Sequence, residues 1–288
     1  MKVRHLLPFL LLAFAACNPG PKGPPIDMEC VVFQPGDKEI LQQVFASCSA
    51  DRKEPMQDLM VKVGEFFLGT PYVAHTLEKE NEQLVINLRE LDCTTFAENC
   101  LAISRTIKSG NHSFEQFASE LMGIRYRDRV VSGYPSRLHY FCDWIHTNHQ
   151  KGLIVDVSGE IAGTPFPRQV NFMSTHPASY RQLKEDTTLI EVIAQQEKAI
   201  SAREMYHIPE SRLREVETGL KDGDIVGITT DTEGLAISHV GILVRRSGRI
   251  HLLHASSLAE EVVLSEGTLE EYLRQSKTAT GIMVARPL

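Results

Sequence analysis

Ser238-His239-Val240-Gly241-Ile242-Leu243-Val244-Arg245-Arg246-Ser247-Gly248-Arg249-Ile250-His251-Leu252-Leu253-His254-Ala255-Ser256 is the stretch on which the fold turns. Two apolar runs rich in Val, Ile and Leu flank Ser247-Gly248, a dipeptide suited to a two-residue hairpin loop, so strands are expected over 238–245 and 249–256. That register sets His239 opposite Ser256 and Gly241 opposite His254. His239 and Gly241 share a face, as do His254 and Ser256, so the two imidazoles become diagonal neighbours about 7–8 Å apart at Cα. A four-residue loop would set them directly opposite; a three-residue loop would send them to opposite faces.

Working outward, period-2 patterning also predicts strands over 224–229, 262–265 and 281–286, with a turn at Thr232-Glu233-Gly234. Upstream the period is helical: 38–67 with a break at Glu54-Pro55, then Gly69-Thr70-Pro71-Tyr72 as punctuation and a short alternating strand over 84–88. Asp92 is the expected N-cap of a helix ending at Ser109 before Gly110, with Phe96, Cys100, Ile103 and Ile107 on its core face. Ser113 and Gln116 stand at capping-box spacing, a further helix is expected over 136–150, residues 156–167 are Gly- and β-rich, and 175–220 read as mostly polar helix. Helices first and strands last, without βαβ alternation, predict an α+β fold with an antiparallel sheet. Neither an internal repeat nor an interdomain linker is evident, so 26–288 is expected to be one domain.

Of the 288 residues 42% are hydrophobic and 23% charged, which excludes disordered and collagen-like chains. Met1–Ala16 carries Lys2, Arg4 and an apolar run from Leu6 to Ala16, the pattern of an export signal. The run falls short of the about 20 residues that a spanning helix needs. Phe14-Ala15-Ala16-Cys17 resembles a bacterial lipobox, which implies a lipid on Cys17, a Pro/Gly-rich tether to residue 25 and a cell-envelope location; the alternative is plain cleavage with Cys17 a free thiol. Without Lys2 and Arg4 the chain has 28 basic and 37 acidic residues, a formal charge of −9, and no long basic run, so nucleic acid is not an expected partner.

Cysteines stand at 17, 30, 48, 93, 100 and 142. Cys30 and Cys48 are either a disulfide or two small buried hydrophobes. Cys93 is different. It opens a helix directly after Asp92, where free backbone N–H groups and the macrodipole favour an anion, so a stabilised thiolate is expected. A nucleophilic thiol needs a base; His239 would serve, with His254 fixing its tautomer and ring direction. The alternatives are half-buried strand histidines, or a zinc site made by one Cys, two His and water.

Leu91-Asp92-Cys93-Thr94-Thr95-Phe96, Leu220-Lys221-Asp222-Gly223-Asp224-Ile225-Val226, Ser238-His239-Val240-Gly241-Ile242 and Leu253-His254-Ala255-Ser256 resemble, in this order, the motifs of the NlpC family, papain-like cysteine hydrolases of bacterial peptidoglycan. Gly69-Thr70-Pro71-Tyr72 resembles the Gly-x-Pro-Tyr element that lines their substrate cleft. Two departures stand out: Thr94-Thr95 replaces a common Ser-Gly, and Cys93 precedes His239 by 146 positions. With Ser136-Arg137-Leu138-His139-Tyr140 and His254-Ala255-Ser256-Ser257, the chain resembles a branch of N-acetylmuramoyl-L-alanine amidases. That resemblance implies cleavage between the lactyl group of muramic acid and L-alanine on muropeptides, including 1,6-anhydro forms, with a γ-D-glutamyl–diamino acid endopeptidase and a catalytically silent envelope-binding lipoprotein as alternatives.

The backbone N–H of Cys93 is the expected first oxyanion donor, and Tyr72 is either a second donor, a substrate contact or packing. Asp92 is a further candidate for substrate contact. Arg137 and Arg168 could fork onto a stem carboxylate, or be solvated surface residues. The insertion over about 111–210 is expected to be largely helical and to wall the cleft. His139, Tyr140 and Trp144 could stack on a sugar, although helical spacing also accounts for them as packing. Cys142, His146 and His149 lack a fourth metal ligand, and no feature requires a cofactor.

Overall fold

The computed structural model describes residues 26–48 and 53–288. The expected signal (1–16), the tether (17–25) and Cys17 lie outside the described residues. Among those described, no helix is long and apolar enough to cross a membrane.

β1 (Val31–Val32) pairs in parallel with β2 (Leu84–Val85). β2 is shorter than the alternation over 84–88 predicts, because the Leu88 N–H goes to Asp37 Oδ1 at 2.9 Å instead of to a strand. α1 (Pro35–Ser47) and α2 (Met56–Phe66) stand on either side of the expected break. α3 (Cys93–Ser109) is capped by Asp92 and ends on Gly110 at φ 75°, a left-handed conformation that glycine adopts without a Cβ clash. Phe96, Cys100, Ile103 and Ile107 are fully buried along it. α4 (Phe114–Arg125) is capped by Ser113, whose hydroxyl accepts the Gln116 N–H at 3.1 Å.

The helix expected over 136–150 begins only at Phe141, as α5 (Phe141–Gln150). Before it, Tyr134–Ser136 makes a single 3-10 turn around Pro135, and Arg137 forms an isolated bridge with Tyr126. His139 and Tyr140 therefore precede the helix. The segment expected to be mostly helical over 175–220 also needs correction. After β3 (Ile154–Asp156), α6 (Ser158–Ile161), β4 (Thr164–Pro165), α7 (Phe172–Thr175), α8 (Arg181–Glu185) and α9 (Thr188–Ser201), the chain forms β5 (Tyr206–Pro209) before α10 (Leu213–Val216).

β6 (Ile225–Thr230), β7 (Ile237–Arg246), β8 (Arg249–Ser256), β9 (Glu261–Leu264) and, after α11 (Leu269–Gln275), β10 (Ala279–Pro287) complete the chain. The sheet order is β4-β5-β10-β6-β7-β8-β9, with β3 also on β10, and every pairing is antiparallel. This is the expected α+β class. Its central strands read as continuous apolar runs because both faces are covered: Ile242, Val244, Leu253 and Ala255 pack with the helices α2 and α3, whereas Leu243, Ile250 and Leu252 pack with α10 and α11. The insertion is not wholly outside this scaffold, since β3, β4 and β5 belong to the sheet. Asp143, fully buried, ties it together further by pairing with Arg127 and Arg203, each at 2.5 Å.

Candidate active site

Cys93 occupies the first position of α3. Asp92 and Thr95 form a reciprocal cap there: Thr95 N–H donates to Asp92 Oδ1 (2.7 Å) and Asp92 N–H donates to Thr95 Oγ1 (2.9 Å). This explains Thr at 95, where a glycine could not return the bond. With the cap serving Thr95, the Cys93 N–H has no acceptor within the helix and is free to face an oxyanion.

The hairpin adopts the two-residue loop register, with Ile242 opposite Leu253 and Arg246 opposite Arg249. Ser247 and Gly248 take φ of 50° and 82°, the pair of positive values that such a turn requires. Gly241 opposite His254 is required by space: a Cβ there would sit 2.6 Å from the Leu252 side chain. The two imidazoles consequently meet, His239 Nε2 to His254 Nδ1 at 2.6 Å, with the rings at 87°. Between β6 and β7 the register slips, Ile228 facing His239 and Thr229 facing Ile237, so Ser238 bulges out immediately before His239. Bulges of this kind re-aim a side chain.

Cys93, Ser238, His239 and Val240 line one cleft of ≈ 510 Å³ together with Asp92, Thr94 and residues from the insertion. His254 lies behind, 2% exposed. The thiolate expected from the helix start is not favoured in this state. Burial, and then the negative charge of Asp92, push the Cys93 thiol up to about 12, against the hydrogen bonds from Val240 and Thr94. Burial likewise holds His239 at about 4 and His254 at about 3, the latter also opposed by His239. At neutral pH the site therefore rests as thiol and neutral imidazoles. If His239 Nε2–H donates to His254 Nδ1, the lone pair on His239 Nδ1 remains for a proton.

Tyr72 is fixed by its N–H to Glu260 O at 2.8 Å and is not among the cleft-lining residues. Its hydroxyl is pushed up by burial and by the charges of Cys93 and Asp92, which marks it as a neighbour of the sulfur. His139 lines the cleft; its Nε2 meets the Tyr134 carbonyl at 2.8 Å and must carry the proton, leaving Nδ1 an acceptor. Burial, reinforced by Arg137, holds it well below the usual imidazole range. Tyr140 lines the cleft with its ring only: its hydroxyl donates to Glu197 Oε1 (2.5 Å) and accepts the Met173 N–H (2.8 Å).

The alternatives for three residues narrow. Arg137 lines the cleft, but Glu78 (2.8 Å) and Glu82 (3.1 Å) already pair with it. Arg168 lies away from the cleft lining and donates to the Thr232 and Leu235 carbonyls, pinning the turn between β6 and β7. Trp144 is fully buried, stacked on Phe141 at 4.6 Å, and no sugar can reach it. Cys30 and Cys48 are free thiols, one exposed and one buried. His149 accepts the Asp156 N–H at 3.3 Å.

The cleft also contains residues that the sequence reading passed over. Glu98 and Arg125 pair at 2.7 Å, each 2% exposed; burial pushes the Glu98 carboxyl up while Arg125 draws it back. Glu78, Tyr180 and Arg181 come from segments with no recognisable pattern. Tyr272 lies beside both imidazoles, 6.3 Å from His239 and 5.2 Å from His254 between ring centroids. Only its helix was detectable, through Thr268 and Glu271 at capping-box spacing.

A helix-capped cysteine beside a coupled histidine pair is the arrangement against which known proteins can be compared. The family described as AmiA-like, N-acetylmuramoyl-L-alanine amidase-like, matches residues 62–282. The chain belongs to the AmiA-like family. Among solved structures it is similar to an N-acetylmuramoyl-L-alanine amidase from Bacteroides uniformis, at 39% identity over 81% of this chain and 98% of that one, with a TM-score of 0.77. A Bacteroides fragilis protein provisionally named a xylanase is 41% identical over 77% of this chain and 98% of that one, with a TM-score of 0.74. A Legionella pneumophila protein, 20% identical over 88% of this chain and 94% of that one, shares the fold at a TM-score of 0.66. No curated protein matches. The AmiA-like match runs from α2 into β10 and so includes Cys93, His239, His254 and the whole insertion.

Proposed function

We propose that this AmiA-like chain is a papain-like, NlpC-type cysteine hydrolase that cleaves the amide between the lactyl group of N-acetylmuramic acid and L-alanine in muropeptides, 1,6-anhydro forms included. The observation that carries the reading is the 2.6 Å bond between His239 and His254 beside a cysteine that opens a helix in the same cleft. The amidase name of the Bacteroides uniformis relative supports the choice of bond.

In this reading Cys93 Sγ attacks the lactyl carbonyl as its proton passes to His239 Nδ1, and the carbonyl oxygen develops negative charge against the Cys93 N–H. His239 then gives that proton to the departing L-alanine nitrogen, leaving a thioester between Cys93 and the lactyl group. Water, deprotonated by His239, displaces the sulfur and releases the muramic acid carboxylate. His254 orients His239 throughout.

A glycan hydrolase, suggested by the name of the Bacteroides fragilis relative, would need two carboxyls flanking a sugar linkage. Asp92 is engaged in the α3 cap, Glu98 in its pair with Arg125 and Glu78 in its pair with Arg137, which disfavours that chemistry. We place the enzyme in the cell envelope, exported by residues 1–16 and lipid-anchored through Cys17, with residues 26–288 acting as one hydrolase unit.

Mass spectrometry of a digested disaccharide-tetrapeptide tests the reading. Free disaccharide plus intact stem peptide, lost in Cys93→Ala, is the expected result. A shortened stem still joined to the sugar would make the protein the γ-D-glutamyl endopeptidase; binding without turnover in the wild type would leave an envelope-binding protein.

A further inference from the structure

We infer that Arg168 is a positioning residue for His239: from the insertion it clamps the turn between β6 and β7, and through that turn it holds the bulged segment that presents the imidazole to the cleft. The inference rests on the cysteine-hydrolase reading above and extends it to a residue outside the cleft.

The end of β7 that carries His239 is weakly held by the sheet itself. The ladder between β7 and β8 begins at Ile242, opposite Leu253, so residues 237–241 pair with β6 alone. That one pairing is interrupted as well, Thr229 facing Ile237 and Ile228 facing His239, with Ser238 the extra residue. A bulge leaves a residue unpaired and bends its strand, so the aim of the next side chain depends on how the chain enters the bulge. The turn sets that entry.

The carbonyls of the turn are satisfied from the insertion. Arg168 Nη2 donates to Thr232 O at 2.7 Å and to Leu235 O at 2.8 Å, and its Nε donates to Leu235 O at 3.0 Å. Between them, Gly234 O accepts the N–H groups of Asn171 (3.1 Å) and Phe172 (3.3 Å). Gly234 has φ of 78°, and a Cβ there would lie 2.7 Å from Asn171 Oδ1, so turn and insertion meet without room to spare. A planar, charged fork bridges two separate carbonyls with stronger bonds than neutral donors make. Leu235, which the fork grips, lines the cleft with Ile237 and Ser238.

Arg168 is fixed on its own side too. Its guanidinium lies over the Phe166 ring at 5.7 Å, and Phe166 stacks on His207 at 4.2 Å between ring centroids. The Phe166 N–H donates to Met205 O at 2.7 Å, immediately before β5, and β5 is paired with β10. The clamp thus refers the turn to a second part of the same sheet. Without it the Thr232 and Leu235 carbonyls turn to water, the fold persists, and the direction of His239 loses definition.

The experiment compares R168M with wild type and with R203M, which takes one arginine from the buried Asp143 of the insertion without touching the turn. We read kcat and KM on a disaccharide-tetrapeptide, with circular dichroism to confirm folding. In a second arm the proton shared by His239 and His254 is followed by NMR of protein labelled with 15N-histidine and assigned with His254→Gln. R168M should lose about 10- to 100-fold in kcat with KM within about twofold, the order of a displacement of about 1 Å at the reacting groups. Its shared-proton signal should shift or broaden, whereas R203M keeps both kcat and signal. R168Q serves should R168M fail to fold. Wild-type kcat and an unmoved signal in a folded R168M or R168Q, or an equal loss of kcat in R203M, would overturn the inference while leaving Cys93 chemistry intact. If wild type hydrolyses nothing, the parent reading fails instead, and the NMR arm still decides: the same signal in wild type and R168M overturns the role of Arg168, and a change confined to R168M supports it.

Discussion

Asp92 and Thr95 hold one another across the first turn of α3, each donating its backbone N–H to the other's side chain, at 2.7 and 2.9 Å. Cys93 sits between them, so their cap sets where the sulfur stands. Thr95→Ala removes one of the two bonds and should lower stability by about 1 kcal/mol. We expect kcat to fall further than that loss alone explains, with KM little changed; a Tm and kcat measurement on Thr95→Ala and Thr95→Ser, the latter retaining activity, checks this.

Under the proposed mechanism, removal of His239 should be far more costly than removal of His254. His239→Ala is expected to lose about 10³-fold or more in kcat, and His254→Ala about 10- to 100-fold. His254→Asn, which can still accept from His239 Nε2, should recover part of that loss. Steady-state rates of the three variants provide the check; equal losses in His239→Ala and His254→Ala would contradict the assigned order.

The imidazole pair also makes a statement about pH. Burial lowers His239 from 6.5 to about 4, so between those values the unfolded chain binds a proton that the folded one refuses. Stability from this group is complete above about pH 6.5 and declines as pH falls toward 4, with His254 adding a loss of the same sign. Thermal melts from pH 7 to 4 should show the decline in wild type and a shallower one in His254→Gln. The acid limb of kcat/KM should lie near 4, well below an ordinary histidine.

Glu98 and Arg125 are almost completely buried and paired at 2.7 Å, and Arg125 also donates to the Val85 carbonyl. Arg125→Met should cost about 3–5 kcal/mol by leaving a buried carboxylate unpaired, and Arg125→Met with Glu98→Leu should recover most of it. Chemical denaturation of the single and double variants measures this directly.

Much of the sheet could be read from sequence because its signals are local. Ser247-Gly248 specifies a register, and that register, with the bulge at Ser238, brings His239 to His254; Asp92 and Gly110 likewise mark both ends of α3. What stayed hidden depends on distant partners. β5 has four residues, one of them Pro209, and is a strand because β10 and β4 pair with it on its two sides. Residues 136–140 carry helical spacing, yet Pro135 tightens the preceding turn and Arg137 is drawn out toward Tyr126, Glu78 and Glu82. Tyr272 has no motif, and its meeting with two histidines follows from α11 crossing back over β8. The thiolate expected from a helix start was outweighed by burial, a quantity that no local pattern conveys.

β5 and β3 lie side by side along one margin of β10, and both come from the segment that also walls the cleft. A cleft wall stitched into the scaffold in this way cannot be excised to leave a minimal enzyme: deleting 111–210 would strip β10 of its outer neighbours and expose the hydrocarbon beneath them. The part of the wall that can be rebuilt with its anchoring strands left in place is the stretch between β4 and β5, which brings Met173, Ser179, Tyr180 and Arg181 to the cleft.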